Sequence, residues 1–330
     1  MEIFELNSKI EETLRSFLTS SLSNPFASYG AGQEHFVNYA LSELSGNLST
    51  GGFILAAKEE GKVVGLISLK RSDWDTKHFG FEISNIGQLL AAGDYVKSTH
   101  IKKRLVSALI ARCERELLLH VSARINKEDL SSIHALEHLR FKLMDVLVTY
   151  ALDLRKSSVP NVETQFSVRK FRREEIPSLS QIALQCFQES ALATDRFHAD
   201  PILPKVKSGE VYERWLISSS NDPSSEVLVA ELNGKPIGFN VCNINNSLAA
   251  FVGLRIGTMV LTAVEPSARK QCVASSLLKA SLDWFKGKVD VVESGGQVSN
   301  YAIQKAWISL GLRIVRSQCT FSWSVLTESL

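Results

Sequence analysis

The chain has 330 residues, a 45% hydrophobic fraction and a net charge of +2, ordinary values for a globular protein of about two domains. The near-balanced charge argues against a nucleic-acid-binding protein. Five widely spaced cysteines without a CxxC pair argue against a disulfide framework or a metal site. The first residues lack a signal-peptide pattern, and no uncharged apolar run is long enough to cross a bilayer. We therefore expect a cytoplasmic protein with no metal, no nucleic acid and no membrane among its partners.

The first half of the chain predicts alternating helices and strands. Residues 1–48 keep a helical rhythm, and Phe53–Lys70 contains two strand-like runs around the turn at residues 59–62. The pattern continues as a helix, a strand, a helix and a final strand region, over Ile101–Leu119, Val121–Ile125, Leu130–Leu139 and Phe141–Leu154. Polar residues 156–161 include a proline and break this periodicity. They predict a boundary between one domain over 1–155 and another over 162–330.

The second half repeats the first at a nearly constant spacing. The matching positions are Gly61 with Gly234 and Gly65 with Gly238, both offset by 173, and Leu136–Leu154 with Trp307–Val325, offset by 171. Two amphipathic hairpins can resemble each other by chance, but a shared offset over separate motifs favours a duplicated domain.

The stretch from Gly257 to Asn300 predicts a βαβ unit. An apolar strand, Met259–Val264, leads through a basic loop at residues 269–271 into a helical pattern, and a second strand follows at Val289–Val292. The apolar face of the helix consists of Ala274, Leu277, Leu278, Leu282 and Phe285. The amides at such a helix start favour phosphate binding.

The loop resembles the acyl-CoA loop of the GNAT N-acetyltransferase superfamily, Arg/Gln-x-x-Gly-x-Gly/Ala. Arg269 and Ala274 match this pattern, but Cys272 stands where the family has its central Gly. From the loop alone, a CoA site and a purely structural crossover remain open. The resemblance implies a mixed α/β fold of two tandem GNAT domains with acetyl-CoA as co-substrate. The equivalent region near Lys97 lacks the pattern, so we expect a degenerate first domain.

Most of the chain also resembles one branch of that superfamily, the TDP-fucosamine N-acetyltransferases of surface-polysaccharide synthesis. The resemblance lies in residues 73–80, 133–154, 195–215 and 257–323. It implies a cofactor site formed by Ala263, Val264, Arg269, Lys270, Gln271, Cys272, Val273, Ala274 and Asn300. It implies a substrate site, built from both halves, formed by Trp74, Phe79, Arg196, Phe197 and Trp215. As single residues, these aromatics and Arg196 have equally ordinary structural explanations.

The sequence offers more than one candidate for the proton donor and for the base. The branch's proton-donating Tyr falls on Trp307, whose indole is not an acid in water, so Tyr301 is the alternative donor. Either aromatic can instead be packed structure. Glu265 and Glu293 are candidate bases or surface carboxylates, and His198 is a candidate base or a structural histidine.

The leading interpretation is an acetyl-CoA-dependent N-acetyltransferase that acts on a nucleotide-linked amino sugar of the TDP-4-amino-4,6-dideoxyhexose type. The alternatives are an acyl-CoA N-acyltransferase for another amine and a non-catalytic tandem GNAT-like binding protein. A homodimer is compatible with the sequence.

Overall fold

The computed structural model describes residues 1–160, 164–187 and 195–325. Its contacts divide the chain into two compact units. The first contains residues 1–146, 200–202 and 318–325, and the second contains residues 147–199 and 203–317, apart from the undescribed positions. The end of the chain therefore belongs to the first unit, and residues 147–153 belong to the second. This division differs from the predicted domains 1–155 and 162–330 by these two exchanged strands.

The elements before the exchanged strands form most of the first unit. They are β1 (Glu2–Glu5), α1 (Ile10–Ser21), α2 (Gln33–Ser49), β2 (Phe53–Glu59), β3 (Lys62–Arg71), α3 (Asp73–Phe79), β4 (Ile83–Ala91), α4 (Tyr95–Arg115), β5 (His120–Asn126) and α5 (Leu130–His138). A short 3₁₀ helix, Ala27–Tyr29, lies between α1 and α2.

The remaining elements are β6 (Lys142–Asp153), β7 (Ser167–Lys170), α6 (Ile176–Phe187), α7 (Arg196–Ala199), α8 (Lys205–Ser220), β8 (Ser225–Leu232), β9 (Lys235–Ile244), α9 (Asn246–Val252), β10 (Ile256–Val264), α10 (Val273–Phe285), β11 (Val291–Gln297), α11 (Tyr301–Ser309) and β12 (Arg313–Ser324). Two 3₁₀ turns, Arg173–Glu175 and Pro266–Ala268, precede α6 and α10.

The two units share one strand order. In the first it is β1-β2-β3-β4-β5-β12, and in the second it is β7-β8-β9-β10-β11-β6. All neighbouring strands in each unit are antiparallel except one central parallel pair, β4 with β5 and β10 with β11. The hairpins β2–β3 and β8–β9 occupy equivalent places in this order, as the repeat predicts. The mixed α/β fold with two related halves is therefore confirmed.

Glycines at equivalent positions serve equivalent purposes. Gly61 and Gly234 have φ angles of +82° and +77° in the hairpin turns, a region open to glycine at little cost. A Cβ on Gly65 would lie 2.5 Å from Ile101 of α4, and one on Gly238 would lie 2.8 Å from the Ala263 carbonyl oxygen. The missing side chain thus lets α4 approach β3 in the first unit and lets β10 approach β9 in the second.

Each long central helix buries its apolar stripe against its own sheet. Leu105 and Leu109 of α4 lie in the core of the first unit, and Leu278, Leu282 and Phe285 of α10 lie in the core of the second. The predicted apolar face of α10 is confirmed at four positions, and Ala274 remains half-buried.

Several predicted boundaries are wrong. Residues 1–48 are not all helical, because Glu2–Glu5 pairs with β2. The helix predicted to begin at Ile101 begins at Tyr95, because the Asp94 carboxylate accepts a hydrogen bond from the Lys97 amide at 2.8 Å and caps it. The strand predicted at Val289–Val292 runs over Val291–Gln297.

Candidate active site

The central strands of the second unit stop pairing halfway along. β10 and β11 pair in parallel only from Ile256 with Val291 to Met259 with Ser294. The register of β10 against β9 shifts between Met259 and Leu261, which marks a β-bulge. At the last pair, the Ser294 hydroxyl donates to the Met259 carbonyl at 2.9 Å. Beyond it, the edge of β10 that faces β11 has no strand partner in the described chain. The Val264 carbonyl at its end accepts from the Cys186 thiol and the Arg269 side chain instead.

The connection from β10 to α10 presents a row of free backbone donors. After the 3₁₀ turn at Pro266–Ala268, residues 269–272 lead into the first turn of α10. None of the described residues accepts a hydrogen bond from the amides of residues 270–275. These amides carry the positive end of the α10 dipole, and the Lys270 side chain beside them is exposed. The arrangement suits a phosphate or pyrophosphate group.

Two other side chains of the loop turn back onto the protein. The Arg269 Nε donates to the Val264 carbonyl at 3.3 Å, and its Nη2 lies 3.5 Å from the sulfur of Cys186. The Gln271 amide donates to the Ser267 carbonyl at 3.2 Å. Arg269 therefore braces the end of β10 in this structure, and Lys270 is the more accessible cation.

Cys272 has a left-handed backbone conformation, which glycine adopts at little cost. Its φ is +63° and its ψ is +15°, the left-handed region, and Lys270 also has a φ of +63°. A non-glycine residue there costs about 1–3 kcal/mol. The Cys272 thiol is exposed. A cysteine at this position therefore places local strain at the start of α10.

The predicted site residues Asn300, Tyr301 and Trp307 differ in their exposure and contacts. The Asn300 side chain accepts a hydrogen bond from the Ile303 amide at 3.4 Å and caps the helix. Tyr301 is 70% exposed, whereas Trp307 is 2% exposed within the apolar core. The indole Nε1 of Trp307 is buried, and none of the described residues accepts its proton.

Tyr150 is a candidate that sequence reasoning missed. It lies on β6 directly opposite Ser294, the last paired residue of β11. Its ring centroid is 5.3 Å from that of Trp307, and its hydroxyl donates to Gln304 Oε1 at 3.2 Å. The Gln304 amide donates to two backbone carbonyls and is thereby fixed. The predicted boundary places residue 150 in the first domain, whereas in the structure it belongs to the second unit.

The predicted substrate residues of the second unit lie together around α7. The Arg196 guanidinium lies over the Phe197 ring at 4.2 Å. Phe197 is buried and makes edge contacts with Tyr212 and Trp215, at centroid distances of 6.5 and 5.9 Å. The structure therefore brings Arg196, Phe197 and Trp215 into one aromatic cluster.

The predicted substrate residues of the first unit lie on α3. Trp74 stacks on His78 at 5.2 Å, and Phe79 meets the same imidazole edge-on at 4.7 Å. Trp74 is 36% exposed and Phe79 is buried. A substrate site built from both halves stays a prediction.

The interpretation of Glu293 as a surface carboxylate is wrong. Glu293 is buried on β11, and its carboxylate accepts a hydrogen bond from Arg316 at 3.1 Å. The ion pair compensates the cost of burying this charge. Glu265, by contrast, remains half-buried at the end of β10.

Metal-binding clusters and membrane-spanning helices are both absent from the described ranges. No cluster of three or more His, Cys, Asp or Glu residues there could hold a metal ion. Within the same ranges, no helix combines the length and apolarity that crossing a membrane demands.

Residues 183–311 match the Acetyltransferase (GNAT) family. This part of the chain is similar to GNAT acetyltransferase domains, and acetyl-CoA is the acetyl donor of that family.

Solved structures extend the fold over the whole chain. A GCN5-related N-acetyltransferase from Sphaerobacter thermophilus superposes with a TM-score of 0.63 at 11% identity, over 98% of this chain and 95% of that one. A tandem GNAT protein from the clavulanic acid biosynthesis pathway superposes with a TM-score of 0.56 at 13% identity, over 98% of both chains. The tandem GNAT fold is thus confirmed.

One curated relative is similar to part of the chain. The spore coat polysaccharide biosynthesis protein SpsD of Bacillus subtilis is 22% identical over 187 residues. The match covers 57% of this chain and 61% of SpsD, which is less than two thirds of that protein.

Proposed function

We propose that the protein is an N-acetyltransferase that moves acetyl from acetyl-CoA to the amine of a nucleotide-linked amino sugar of the TDP-4-amino-4,6-dideoxyhexose type. The observation that carries the proposal is the row of free amides at residues 270–275, next to the unpaired edge of β10. The amides would hold the pyrophosphate of CoA. The strand edge, including Ala263 and Val264, would bind the extended arm of CoA and stabilise charge on the thioester oxygen.

The chemistry requires little covalent help from the protein. The neutral amine attacks the thioester carbon, and the C–S bond breaks with its electron pair on sulfur. Orientation of the two reactants supplies several kcal/mol of rate acceleration. The amine must lose one proton and the thiolate must gain one, so one group on each side of the reaction would assist.

We infer that Tyr150 supplies the proton to sulfur. Trp307 cannot act as an acid, and the Tyr301 side chain is largely in solvent. The Tyr150 hydroxyl is buried and lies on the strand next to Ser294, where β10 and β11 part. It would regain its proton from the solvent after each turnover.

The acceptor class rests on two supports. SpsD is by its name a polysaccharide biosynthesis protein. In this chain, Arg196 beside an aromatic cluster has the chemistry to bind a diphosphate and to pack against a sugar or a base. The resemblance to TDP-fucosamine N-acetyltransferases adds the particular sugar.

The decisive experiment is calorimetric titration with acetyl-CoA, followed by a transfer assay on a panel of amines. We expect one acetyl-CoA per chain, and transfer to TDP-4-amino-4,6-dideoxygalactose in preference to free amino sugars, polyamines and lysine peptides. Arg196→Ala should raise the KM for the nucleotide sugar much more than that for acetyl-CoA. Transfer to a different amine would support the alternative of another acceptor.

The strained Cys272 and the buried Trp307 favour a second candidate, a non-catalytic binding protein. Binding of acetyl-CoA without transfer to any amine, or no binding at all, would favour this candidate. A homodimer and a cytoplasmic location stay predictions.

A further inference from the structure

A buried histidine in the second unit has one ring nitrogen engaged and the other without a partner. The Nδ1 of His198 lies 2.7 Å from the Asp195 carboxylate, and the two side chains are 9% and 5% exposed. The Nε2 of His198 is buried, and no acceptor or donor among the described residues reaches it. A buried polar atom without a hydrogen bond costs about 1–3 kcal/mol. An arrangement of this kind calls for a ligand or a function.

The surroundings of Asp195 fix the tautomer of the imidazole. The carboxylate accepts hydrogen bonds from the Phe197 and His198 amides at 2.8 and 3.2 Å, and the Tyr212 side chain also bonds to it. Burial alone would raise the pKa of Asp195, but the bonds from His198 and Tyr212 outweigh burial and hold that pKa below its usual value. An ionised Asp195 holds the proton on Nδ1, so Nε2 presents its lone pair.

A continuous series of contacts connects this pair to the donor site. Cys186, near the end of α6, bonds the Val264 carbonyl at the end of β10 at 3.1 Å. The next residue, Phe187, stacks on Tyr212 with centroids 4.0 Å apart. Tyr212 in turn bonds Asp195. The imidazole is thus tied to the same strand end that would present the thioester.

We propose that His198 is the general base that takes the proton from the acceptor amine, with Asp195 as its positioning residue. An alkyl ammonium has no lone pair at neutral pH and cannot attack a thioester until it loses a proton. His198 Nε2 would accept that proton before the N–C bond forms, and the imidazolium would pass it to solvent. The second amine proton would leave to water as the tetrahedral intermediate collapses and the C–S bond breaks. The neighbouring charged and titratable groups are Arg196 over the Phe197 ring, Tyr212 on Asp195, and Lys205, which donates to the His198 carbonyl.

This inference rests on the proposed transferase function, and His198→Asn tests it in the full chain. The probe is TDP-4-amino-4,6-dideoxygalactose with acetyl-CoA. We expect kcat/KM for the amine to fall about 100-fold at pH 7. The deficit should shrink toward pH 9.5, where solvent generates the free amine, while the Kd of acetyl-CoA stays unchanged. Unaltered activity, or a deficit that does not vary with pH, would overturn the proposal.

Asp195→Asn provides a second variant in case His198→Asn does not fold. An Asn donates to Nδ1 and reverses the tautomer, so we expect the same pH-dependent deficit with the ring in place. His134→Asn is the matched control, because His134 bonds Tyr95 in the other unit and should leave kcat/KM unchanged.

A measurement independent of the acceptor is ¹⁵N NMR of the wild-type imidazole. We expect Nδ1 protonated and Nε2 unprotonated at pH 7, and the opposite tautomer would overturn the base assignment. If wild type fails to bind acetyl-CoA, the proposed function itself fails. If it binds and transfers while His198→Asn is equally active, only this inference fails.

Discussion

The two units differ most at the connection that follows the first strand of the parallel pair. In the first unit, β4 reaches α4 through residues 92–94, and the Asp94 carboxylate accepts a hydrogen bond from the Lys97 amide. In the second unit, β10 reaches α10 through residues 265–272, and the amides of residues 270–275 are unoccupied by the described residues. The same fold thus has a helix start capped by a carboxylate in the first unit and a helix start without such a cap in the second. Anion binding at a helix start depends on this local chemistry rather than on the fold.

The two units also differ in how the helices beside the parallel strand pair are joined, α4 with α5 and α10 with α11. In the first unit, Lys102 of α4 donates to both carboxylate oxygens of Asp129 and to the Ser131 hydroxyl, at 2.8–2.9 Å. Tyr95 and His134 add another link between α4 and α5, at 2.6 Å. No side-chain hydrogen bond joins α10 to α11 among the residues described there. Side-chain hydrogen bonds therefore tie α4 to the start of α5 and to α5 itself in the first unit, and the described residues show no equivalent bonds in the second.

Three polar residues near the end of the pairing in the second unit have apolar counterparts in the first. At an offset of 171, the positions of Tyr150, Ser294 and Gln304 hold Phe321, Ala123 and Ile133 in the first unit. Phe321 faces Ala123 across β12 and β5 as Tyr150 faces Ser294 across β6 and β11. The comparison separates residues that the fold needs from residues that the proposed chemistry needs.

Cys272→Asp would give α10 the charged cap of α4 and should have the largest effect. Two like charges about 5–6 Å apart repel by about 3 kcal/mol at an effective dielectric constant near 20. We therefore expect the Kd of acetyl-CoA to rise about 100-fold in calorimetry. Cys272→Asn is the neutral control of similar shape and should change the Kd by less than about threefold. An equal loss in both variants would show crowding rather than charge.

Tyr150→Phe would install the first unit's residue and should lower kcat about 100-fold with little change in the Kd of acetyl-CoA. The loss of one hydroxyl leaves the ring packing against Trp307 in place. Tyr301→Phe, at an exposed site, is the matched control and should keep kcat within about twofold. Placing a tyrosine at 307 in the Tyr150→Phe background should recover part of the rate. Full activity of Tyr150→Phe would leave Tyr301 or water as the donor.

Cys272→Gly would relax the left-handed position at the start of α10. Strain of about 1–3 kcal/mol is relieved, partly offset by the greater entropy of an unfolded glycine. We expect a slightly higher melting temperature and an acetyl-CoA Kd about fivefold lower. Lys270 has the same φ as Cys272, but Lys270→Gly also removes the exposed cation. This variant should therefore raise the Kd of acetyl-CoA. Weaker binding by Cys272→Gly would mean that the thiol contributes to the site.

The sequence predicted those features of the two units that depend on residues close together in the chain. The periodicity of Leu277, Leu278 and Leu282 predicted the buried face of α10, and the glycines of both hairpins predicted the repeat. The exchange of β6 and β12 could not be predicted, because strand partners depend on pairing between distant parts of the chain. Tyr150 was missed for that reason. The left-handed shape of Cys272 was missed because a cysteine gives no sign of it.

The smallest effect should appear in acid, where the caps of α5 and α11 differ. Asp129 caps α5 and titrates, whereas its counterpart Asn300 caps α11 and does not. Burial alone would raise the pKa of Asp129, but the bonds from Lys102 and Ser132 outweigh burial and lower it. A depressed pKa means that the stabilisation is present above the unfolded-state value near 3.9 and is lost as pH falls through the folded value. Amide hydrogen exchange should therefore show protection of Leu130–His138 falling a few-fold more than that of Tyr301–Ser309 as pH drops from 6 to 3, after correction for intrinsic rates. Asn300→Asp should transfer this pH dependence to α11, and its absence there would show that the Lys102 ion pair, rather than the cap, is responsible.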